Sequence, residues 1–204
     1  MQPKAGSDEL TFTEAARRKQ IVTAAIGTIA ELGYARASFA QIAKRAGLSS
    51  PGLISYHFAG KDDLIGQVVA DIYATGGAVV RPFGENAASA AETLRAYIEG
   101  SIAFYDTHRD HMRALVQILL GHPEARSRWF DAPNAAELAG IEELLARGQR
   151  DGEFRDFPPR TVAVILRQLL SGALQHMLEK PDLDLAGYTR ELVAMCEHAV
   201  EATS

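Results

Sequence analysis

Residues 38–61, with the sequence SFAQIAKRAGLSSPGLISYHFAGK, contain the signals for two short helices joined by a tight turn. Ser38, followed three residues later by Gln41, predicts a capping box in which each side chain bonds the other residue's backbone N–H. Gly47 can take the left-handed backbone conformation that ends a helix. These signals predict a first helix over residues 39–46.

A second start signal follows the turn. Ser50 precedes Pro51, and proline is pre-set to the backbone angle of a helix's first turn. The second helix is therefore expected over residues 51–58, and so short a turn between two short helices is typical of a helix-turn-helix. Its apolar stripe is predicted to consist of Leu53, Ile54 and Phe58.

The rest of the second helix and of the turn is small or polar. Hydroxyls and backbone amides can bind phosphate oxygens and base edges, and Gly52 allows close approach of the backbone. From spacing alone, an ordinary helical hairpin inside an all-α protein remains an alternative. The residues predicted to contact DNA are Arg17, Lys44, Ser49, Ser50, Gly52, Ser55, Tyr56 and His57.

The order of these motifs resembles the N-terminal domain of TetR-family transcriptional regulators. The likeness covers about residues 17–64: an amphipathic helix ending ELGYARAS, then FAQIAKRAGLS, then ISYHF, then the GKDDL that opens a fourth helix. It implies a DNA-binding head, a helical body that senses a ligand, and a phosphate contact at Lys61. The chain departs from the common pattern by one extra residue between Gly47 and Phe58, and by Ser55 where a phosphate-contacting tyrosine is usual.

Charge is divided unevenly along the chain. The 204 residues carry a net charge of −5, but residues 1–61 contain eight lysines and arginines against four aspartates and glutamates. The first part therefore carries +4 and the remainder −9. Because phosphate neutralisation needs local positive charge, this division suits a DNA-contacting head on an acidic body.

Composition places the chain among ordinary globular proteins. Apolar residues make up 47% and charged residues 23%, which is average. The apolar runs are shorter than a membrane span, and no secretion signal is evident at the start. Cys196 is the single cysteine and cannot form an internal disulfide. We expect a cytoplasmic protein.

The fold class predicted is all-α, with an N-terminal three-helix helix-turn-helix DNA-binding domain and a C-terminal helical domain for ligand binding and dimerisation. We expect a flexible tail over residues 1–12, the DNA-binding domain over 13–61 and the effector-binding and dimerisation domain over 62–204. A Thr11-x-x-Glu14 pattern is expected to cap the first helix, with Thr13 as a competing cap. Pro82 is expected to close the fourth helix, and Asn134-x-x-Glu137 to cap a helix over 135–149. The other helices of the body are predicted over residues 62–80, 88–107, 110–120, 160–178 and 185–202.

The helix over residues 160–178 has an apolar arc too broad for a helix that faces only its own core, which indicates a partner. By resemblance, this helix and the last one pair with their symmetry mates in a four-helix bundle. A fully internal helix is the alternative. The predicted dimer interface consists of Leu166, Leu170, Ala173, Leu174 and Met177.

Large or amphipathic residues also lie on the helices that, by resemblance, surround a ligand pocket. They favour a mostly apolar effector held by few hydrogen bonds. The predicted pocket residues are Tyr97, Phe104, Tyr105, Gln117, Trp129, Gln168 and His176.

No catalytic motif accompanies these features. The sequence lacks GxxxxGK, HExxH and CxxC patterns, and His108-x-x-His111 has metal-compatible spacing without a clear third ligand. No metal, cofactor or enzymatic activity is predicted. We expect a homodimeric repressor that binds palindromic double-stranded DNA and is released by a small effector. An activator, a ligand-independent architectural DNA-binding protein and, more distantly, an enzyme on a helical scaffold are the alternatives.

Overall fold

The computed structural model describes residues 12–202, and these residues fold into an array of helices. Apart from one isolated bridge between Phe154 and Glu201, the described part of the chain contains no β-structure. The all-α prediction is therefore confirmed. In chain order the helices are α1 (Phe12–Leu32), α2 (Phe39–Arg45), α3 (Gly52–His57), α4 (Lys61–Gly84), α5 (Ala90–Thr107), α6 (Arg109–Gly121), a π-helical segment (Arg126–Phe130), α7 (Asp131–Arg150), α8 (Pro159–Glu179) and α9 (Leu185–Val200).

The start of the chain is only partly within the described residues. Residues 1–11 of the predicted tail lie outside them, and so does the Thr11 cap. Phe12 is the first residue of α1.

The turn signals of residues 38–61 act largely as predicted. The Ser38 hydroxyl accepts a hydrogen bond from the Gln41 backbone N–H at 3.3 Å, and Gly47 takes a φ of +66° just after α2. The reciprocal half of the capping box does not form, because the Ser38 N–H donates to the Arg36 carbonyl instead at 2.9 Å. Pro51 lies at the N-cap of α3 rather than inside it.

Two prolines interrupt the helices less than predicted. Pro82 lies in the last turn of α4, which continues to Gly84. The helical bond that a proline cannot make would go to the carbonyl of Ala78, an exposed residue whose carbonyl can bond water instead. Pro133 lies in the first turn of α7, directly after the π-helical segment, and the helix continues through it. The helix over 135–149 therefore begins four residues earlier than predicted, at Asp131.

Two hydrophobic cores hold the helices together. The first joins α1–α4 with α6, the end of α5 and the π-helical segment, through residues such as Ile42, Phe58, Ile72 and Ile118. The second joins α5, α7, α8 and α9. Because α4 and α6 share a core with the helix-turn-helix, a displacement of either helix also shifts the residues of α1–α3 that pack against it.

The predicted dimer-interface residues face inward. Leu166, Leu170, Ala173 and Met177 are buried in the second core, and Leu174 is half-buried against the first. The interface prediction is therefore wrong about which face of α8 is exposed. The excess of apolar surface is nevertheless present on other sides of α8 and on α9, at Val164, Ile165, Leu169 and Met195.

None of the helices within residues 12–202 combines the length and the apolar character needed to cross a bilayer.

Glu153 caps α5 from the connection that follows α7. Its two carboxylate oxygens accept hydrogen bonds from the backbone N–H groups of Ala90 and Ala91, each at 2.9 Å. These bonds favour the charged carboxylate and hold the pKa of Glu153 below its usual range. The cap therefore links the loop after α7 to the start of α5.

Replacing Glu153 with glutamine is expected to lower the free energy of unfolding by about 1 kcal/mol at neutral pH, because the amide is uncharged and has one acceptor oxygen in place of two. Since the pKa is lower in the folded than in the unfolded state, the carboxylate stabilises the protein above its unfolded pKa. This contribution disappears as the pH falls through the folded pKa. Urea unfolding followed by circular dichroism should show a difference between the two proteins at about pH 7 that shrinks as the pH falls below the unfolded pKa of a glutamate. A difference that does not change with pH would contradict the capping role.

Candidate nucleic-acid interface and internal cavity

The N-terminal half of α1 contacts the ends of both α2 and α3. The Arg18 guanidinium lies 4.2 Å from the centroid of the Phe58 ring and donates to the carbonyl of His57 at the end of α3. Gln20 donates to the carbonyl of Ala46 at the end of α2, at 2.7 Å. These bonds fix α2 and α3 against α1, so the three helices present their outer surfaces as one unit.

The outward face of α3 follows from its buried residues. Ile54 and Phe58 are fully buried. At about 100° per residue, the direction opposite these two residues falls on Tyr56, with Gly52 and Leu53 on either side. Tyr56 is 74% exposed and Leu53 is 39% exposed. The prediction that Leu53 belongs to the apolar stripe is therefore wrong.

The residues predicted to contact DNA occupy the outer surface of α1–α3. Arg17, Lys44, Ser49, Ser50, Gly52, Ser55 and Tyr56 are exposed, and His57 is partly buried. The Tyr56 ring stands edge-on to the His57 ring, with centroids 5.0 Å apart. Arg17 donates to the side chain of Gln20 at 2.8 Å, one turn along α1. The surface is therefore rich in hydroxyl and cationic groups around one exposed leucine.

Lys61, at the start of α4, braces the connection between α1 and α2. Its ammonium group donates to the carbonyl of Tyr34 at 2.9 Å and lies 4.2 Å from the centroid of the Tyr34 ring. Partial burial lowers the pKa of Lys61. The contact with Tyr34, which the sequence reasoning missed, ties α4 directly to the DNA-binding head.

A cavity of about 330 Å³, partly open to solvent, lies in the body and is lined by α4, α5, α6, α7 and α8. Three predicted pocket residues, Tyr97, Phe104 and Tyr105, line it. Most of its wall is apolar, and α4 contributes Ile72, Tyr73, Gly76, Gly77 and Val80.

The other four predicted pocket residues do not line this cavity. Gln117 and Gln168 lie on exposed sides of α6 and α8. Trp129 packs against α4 at Gly66. His176 stacks on the ring of Tyr188, with centroids 5.9 Å apart. Each belongs to a helix or segment near the cavity but points away from it, a distinction that depends on helix rotation rather than on residue type.

One end of the cavity carries a connected polar network. The Tyr97 hydroxyl donates to Glu137 at 2.7 Å, and Arg167 donates to the other oxygen of Glu137 at 3.2 Å. Asn134 accepts from Arg167 at 2.6 Å and from the Tyr73 hydroxyl at 2.7 Å. Asn134 and Glu137 therefore serve this network instead of the predicted helix cap.

The network leaves the polar end of the cavity without net charge, because Glu137 and Arg167 form an ion pair. Burial, together with the Glu137 carboxylate, raises the pKa of Tyr73 to about 12 and raises the pKa values of Tyr97 and Tyr105 as well. All three hydroxyls remain protonated near neutral pH. Within residues 12–202 the Tyr105 hydroxyl makes no hydrogen bond, so it can bond to a ligand.

A strap of residues 122–134 runs beside α4 from this network toward the head. At the network end, the Phe130 ring stands edge-on to the Tyr73 ring, with centroids 6.5 Å apart. The next residue of the strap, Trp129, packs directly on Gly66 of α4. Its indole nitrogen lies 3.2 Å from the position that a β-carbon of Gly66 would occupy. At the head end, Arg128 forms an ion pair with Asp62.

His122 completes the strap at the head. Its ring centroid lies 4.9 Å from that of Trp129 and 5.8 Å from that of Tyr34. Since Tyr34 also holds Lys61, the strap touches the same connection that Lys61 braces. Ring and polar contacts therefore follow one another from the cavity to the helix-turn-helix.

A helix-turn-helix with an exposed cationic surface, joined to a helical body that contains a cavity, is the arrangement of a DNA-binding regulator. Residues 21–68 match the family model described as bacterial regulatory proteins, tetR family. The HTH-type transcriptional regulator BetI of Cronobacter sakazakii is 30% identical over 154 residues, which cover 72% of this chain and 70% of that protein. This chain belongs to the TetR family of bacterial transcriptional regulators. It is a regulator and not an enzyme.

Two further similarities bear on the extent of the match. BetI 1 of Chromohalobacter salexigens is 42% identical over 86 residues, so the match spans 42% of this chain and 42% of that relative. A transcriptional regulator of Saccharomonospora viridis, solved in complex with choline, superimposes with a TM-score of 0.81 over 93% of this chain and all of its own, at 22% identity. At that identity the likeness concerns the fold alone.

Proposed function

We propose that the chain is a transcriptional repressor that binds a palindromic operator as a homodimer and is released by a small, mostly apolar effector. The observation that carries the proposal is the position of the cavity: its wall includes α4, and α4 begins at Lys61, which is bonded to the DNA-binding head. A ligand that displaces α4 would therefore displace the head. A regulator of bacterial transcription works beside the chromosome, so the proposed location is the cytoplasm.

DNA binding is assigned to residues 13–61, and effector binding and dimerisation to residues 62–204. The outward face of α3 would enter the major groove, while the hydroxyl and cationic groups around it would bind phosphates. In a symmetric dimer the two α3 helices would meet successive major grooves, with half-site centres about 34 Å apart or somewhat more. Repression is the simpler sign, because a dimer on a promoter blocks polymerase without an activating surface.

A second copy of the chain is the proposed occupant of the exposed apolar surface on α8 and α9. Ile165 is 53% exposed and Met195 is 62% exposed, and Val164 and Leu169 add to the same pair of helices. Two copies that join these helices would form a four-helix bundle, which buries the surface twice through one symmetric contact. This arrangement also places two heads on one particle, as a palindromic operator requires.

The effector is proposed to be small and uncharged, with one or two hydrogen-bonding groups at one end. The cavity wall is mainly apolar, and burying an unpaired charge beside the Glu137–Arg167 pair would be costly. The free hydroxyl of Tyr105 offers the ligand a hydrogen bond. A panel of 1-decanol, decanoate and choline compares an uncharged, an anionic and a cationic ligand. We expect 1-decanol to release operator DNA at the lowest concentration.

The other outcomes of this panel are informative. Release by choline alone would mean that the rings of Tyr73, Tyr97, Phe104 and Tyr105 act as a cation-binding cage. Operator binding that no compound of any class alters would favour an architectural protein. A reporter gene behind the operator that loses expression without the protein would mean activation instead of repression.

Coupling between cavity and head is proposed to use the strap of residues 122–134 as well as α4. Asn134 joins α4 to α8 through Tyr73 and Arg167, and a ligand that engages either partner would compete with it. Loss of those bonds would free the start of α7, and with it the segment that packs on Gly66 and Asp62. The effector then favours a second arrangement of the heads because it binds that arrangement better.

Replacing Asn134 with alanine tests this coupling. We expect the variant without ligand to bind the operator more weakly than the wild-type protein, because it already lacks the bonds that the effector would break. The further loss of affinity caused by saturating 1-decanol should shrink by about fivefold or more. Fluorescence anisotropy of a labelled operator measures both quantities. Ser171→Ala is the matched control, since Ser171 also lines the cavity but bonds only to its own helix. An unchanged response in the Asn134 variant would remove the strap from the mechanism.

A further inference from the structure

We infer that Leu53 reads the operator by contacting the C5-methyl group of a thymine in each half-site. The inference rests on the proposed function, namely that the outward face of α3 enters the major groove. It assigns sequence specificity to an apolar side chain that the helix leaves uncovered.

The position of Leu53 is the first step of the argument. It lies next to Tyr56 on the side of α3 opposite the buried Ile54 and Phe58. It is 39% exposed and does not belong to the apolar residues that pack against the first core. A single exposed leucine is common on protein surfaces, so what distinguishes Leu53 is its place beside Tyr56 on the outward face of α3.

The composition of the outward face is the second step. Residues 49–58 contain no arginine, lysine, asparagine or glutamine, the side chains that make paired hydrogen bonds to guanine or adenine. Ser49 and Ser50 can bond to more than one base and discriminate weakly. The methyl group of thymine is the one apolar group that the major groove offers, and Leu53 is the apolar side chain positioned to meet it.

The charge around Leu53 indicates that its partner is DNA rather than another protein surface. Residues 1–61 carry a net charge of +4. Lys44 on α2 is exposed, and no carboxylate within residues 12–202 forms an ion pair with it. A polyanion complements this surface, whereas the exposed apolar surface of α8 and α9 belongs to the acidic remainder of the chain.

Tyr56 would keep Leu53 in register with the bases. Its ring is supported edge-on by His57, and its hydroxyl can reach a phosphate oxygen on the adjacent backbone. The backbone contact positions the helix, and the contact of Leu53 with the methyl group specifies the base. Phosphate contacts alone would hold the head on any sequence.

Replacement of thymine by deoxyuridine tests the contact, because it removes the methyl group and leaves base pairing intact. Each thymine of a selected operator is replaced in turn, in both half-sites together, and affinity is measured by anisotropy at fixed salt. We expect one position at which the wild-type protein loses about fourfold affinity per half-site. The Leu53→Ala variant should bind the thymine operator more weakly and should not distinguish thymine from deoxyuridine at that position.

Two further variants make the result specific. Thr23→Ala changes an exposed residue of α1 whose hydroxyl bonds only to its own helix, and it should keep the full thymine preference. Leu53→Met keeps an apolar side chain of similar length and should retain most of it, even where the alanine variant binds too weakly to measure. Circular dichroism and the sedimentation coefficient establish that each variant is folded and dimeric.

The inference is overturned when deoxyuridine at every position leaves wild-type affinity unchanged. It is also overturned when Leu53→Ala retains the wild-type preference for thymine. Failure to select any palindromic DNA is a different result. It would contradict the proposed function itself, and not only the role of Leu53.

Discussion

The Ile165→Glu variant is expected to be monomeric and to bind the operator at least about 100-fold more weakly than the wild-type protein. Ile165 lies on the exposed apolar surface of α8 that we assign to the dimer. A glutamate there would be buried at the interface without a partner, which costs several kcal/mol in each copy. A monomer holds one half-site only and loses the gain in affinity that comes from linking two heads.

Sedimentation velocity gives the oligomeric state and anisotropy gives the operator affinity of this variant. Leu120→Glu is the matched control for the oligomeric state, because Leu120 is 78% exposed in the last turn of α6, next to Gly121, which packs against Tyr34 of the helix-turn-helix domain. It should sediment as the wild-type protein does. A dimeric Ile165→Glu protein would place the interface elsewhere on the surface.

The Gly77→Phe variant is expected to bind the operator normally but to resist release by 1-decanol, with an apparent ligand affinity lowered at least about tenfold. Gly77 lines the cavity, and a β-carbon there would meet no atom within 4 Å. Since Gly77 is also exposed, a phenyl ring there can lie across the solvent-facing side of the cavity without distorting α4. The substitution also removes a glycine from a helix interior, which favours folding.

Ala78→Phe provides the control for this prediction. Ala78 is the next residue of α4, is exposed and does not line the cavity. The same ring at that position should leave the response to 1-decanol unchanged. Equal responses of the Gly77 and Ala78 variants would show that the effector binds at another place.

The helix-turn-helix could be predicted from sequence because its signals are local. Ser38 and Gly47 act on backbone groups within a few residues of their own positions. Nearby residues in the sequence therefore specify where α2 begins and ends. The same holds for the start of α4 at Lys61. Such signals depend on hydrogen bonds between near neighbours and need no knowledge of packing.

The cavity network could not be predicted, because one pattern has two structural meanings. Asn134 and Glu137 have the spacing of a helix cap, yet their side chains bond Tyr73, Tyr97 and Arg167 on three other helices. Which meaning applies depends on what lies opposite α7. Only the tertiary structure contains that information.

The exposed faces of α3 and α8 were difficult to predict for a related reason. In α8, apolar residues occur on several sides, so periodicity cannot tell whether Leu166 or Ile165 points inward. In α3, only six residues are helical, and Leu53 is adjacent in sequence to the buried Ile54. A helix so short has too few turns for its pattern to fix its rotation.

The most direct test of the central claim, ligand-controlled binding to a palindromic operator, is selection of genomic DNA fragments by the purified chain at about 150 mM salt. The bound fragments are then titrated with 1-decanol, decanoate and choline. We expect one palindromic sequence to be enriched, to bind two chains, and to be released by the uncharged alcohol. Retention of all fragments alike, dependent on salt and unaffected by every ligand, would contradict the assignment of a ligand-responsive regulator.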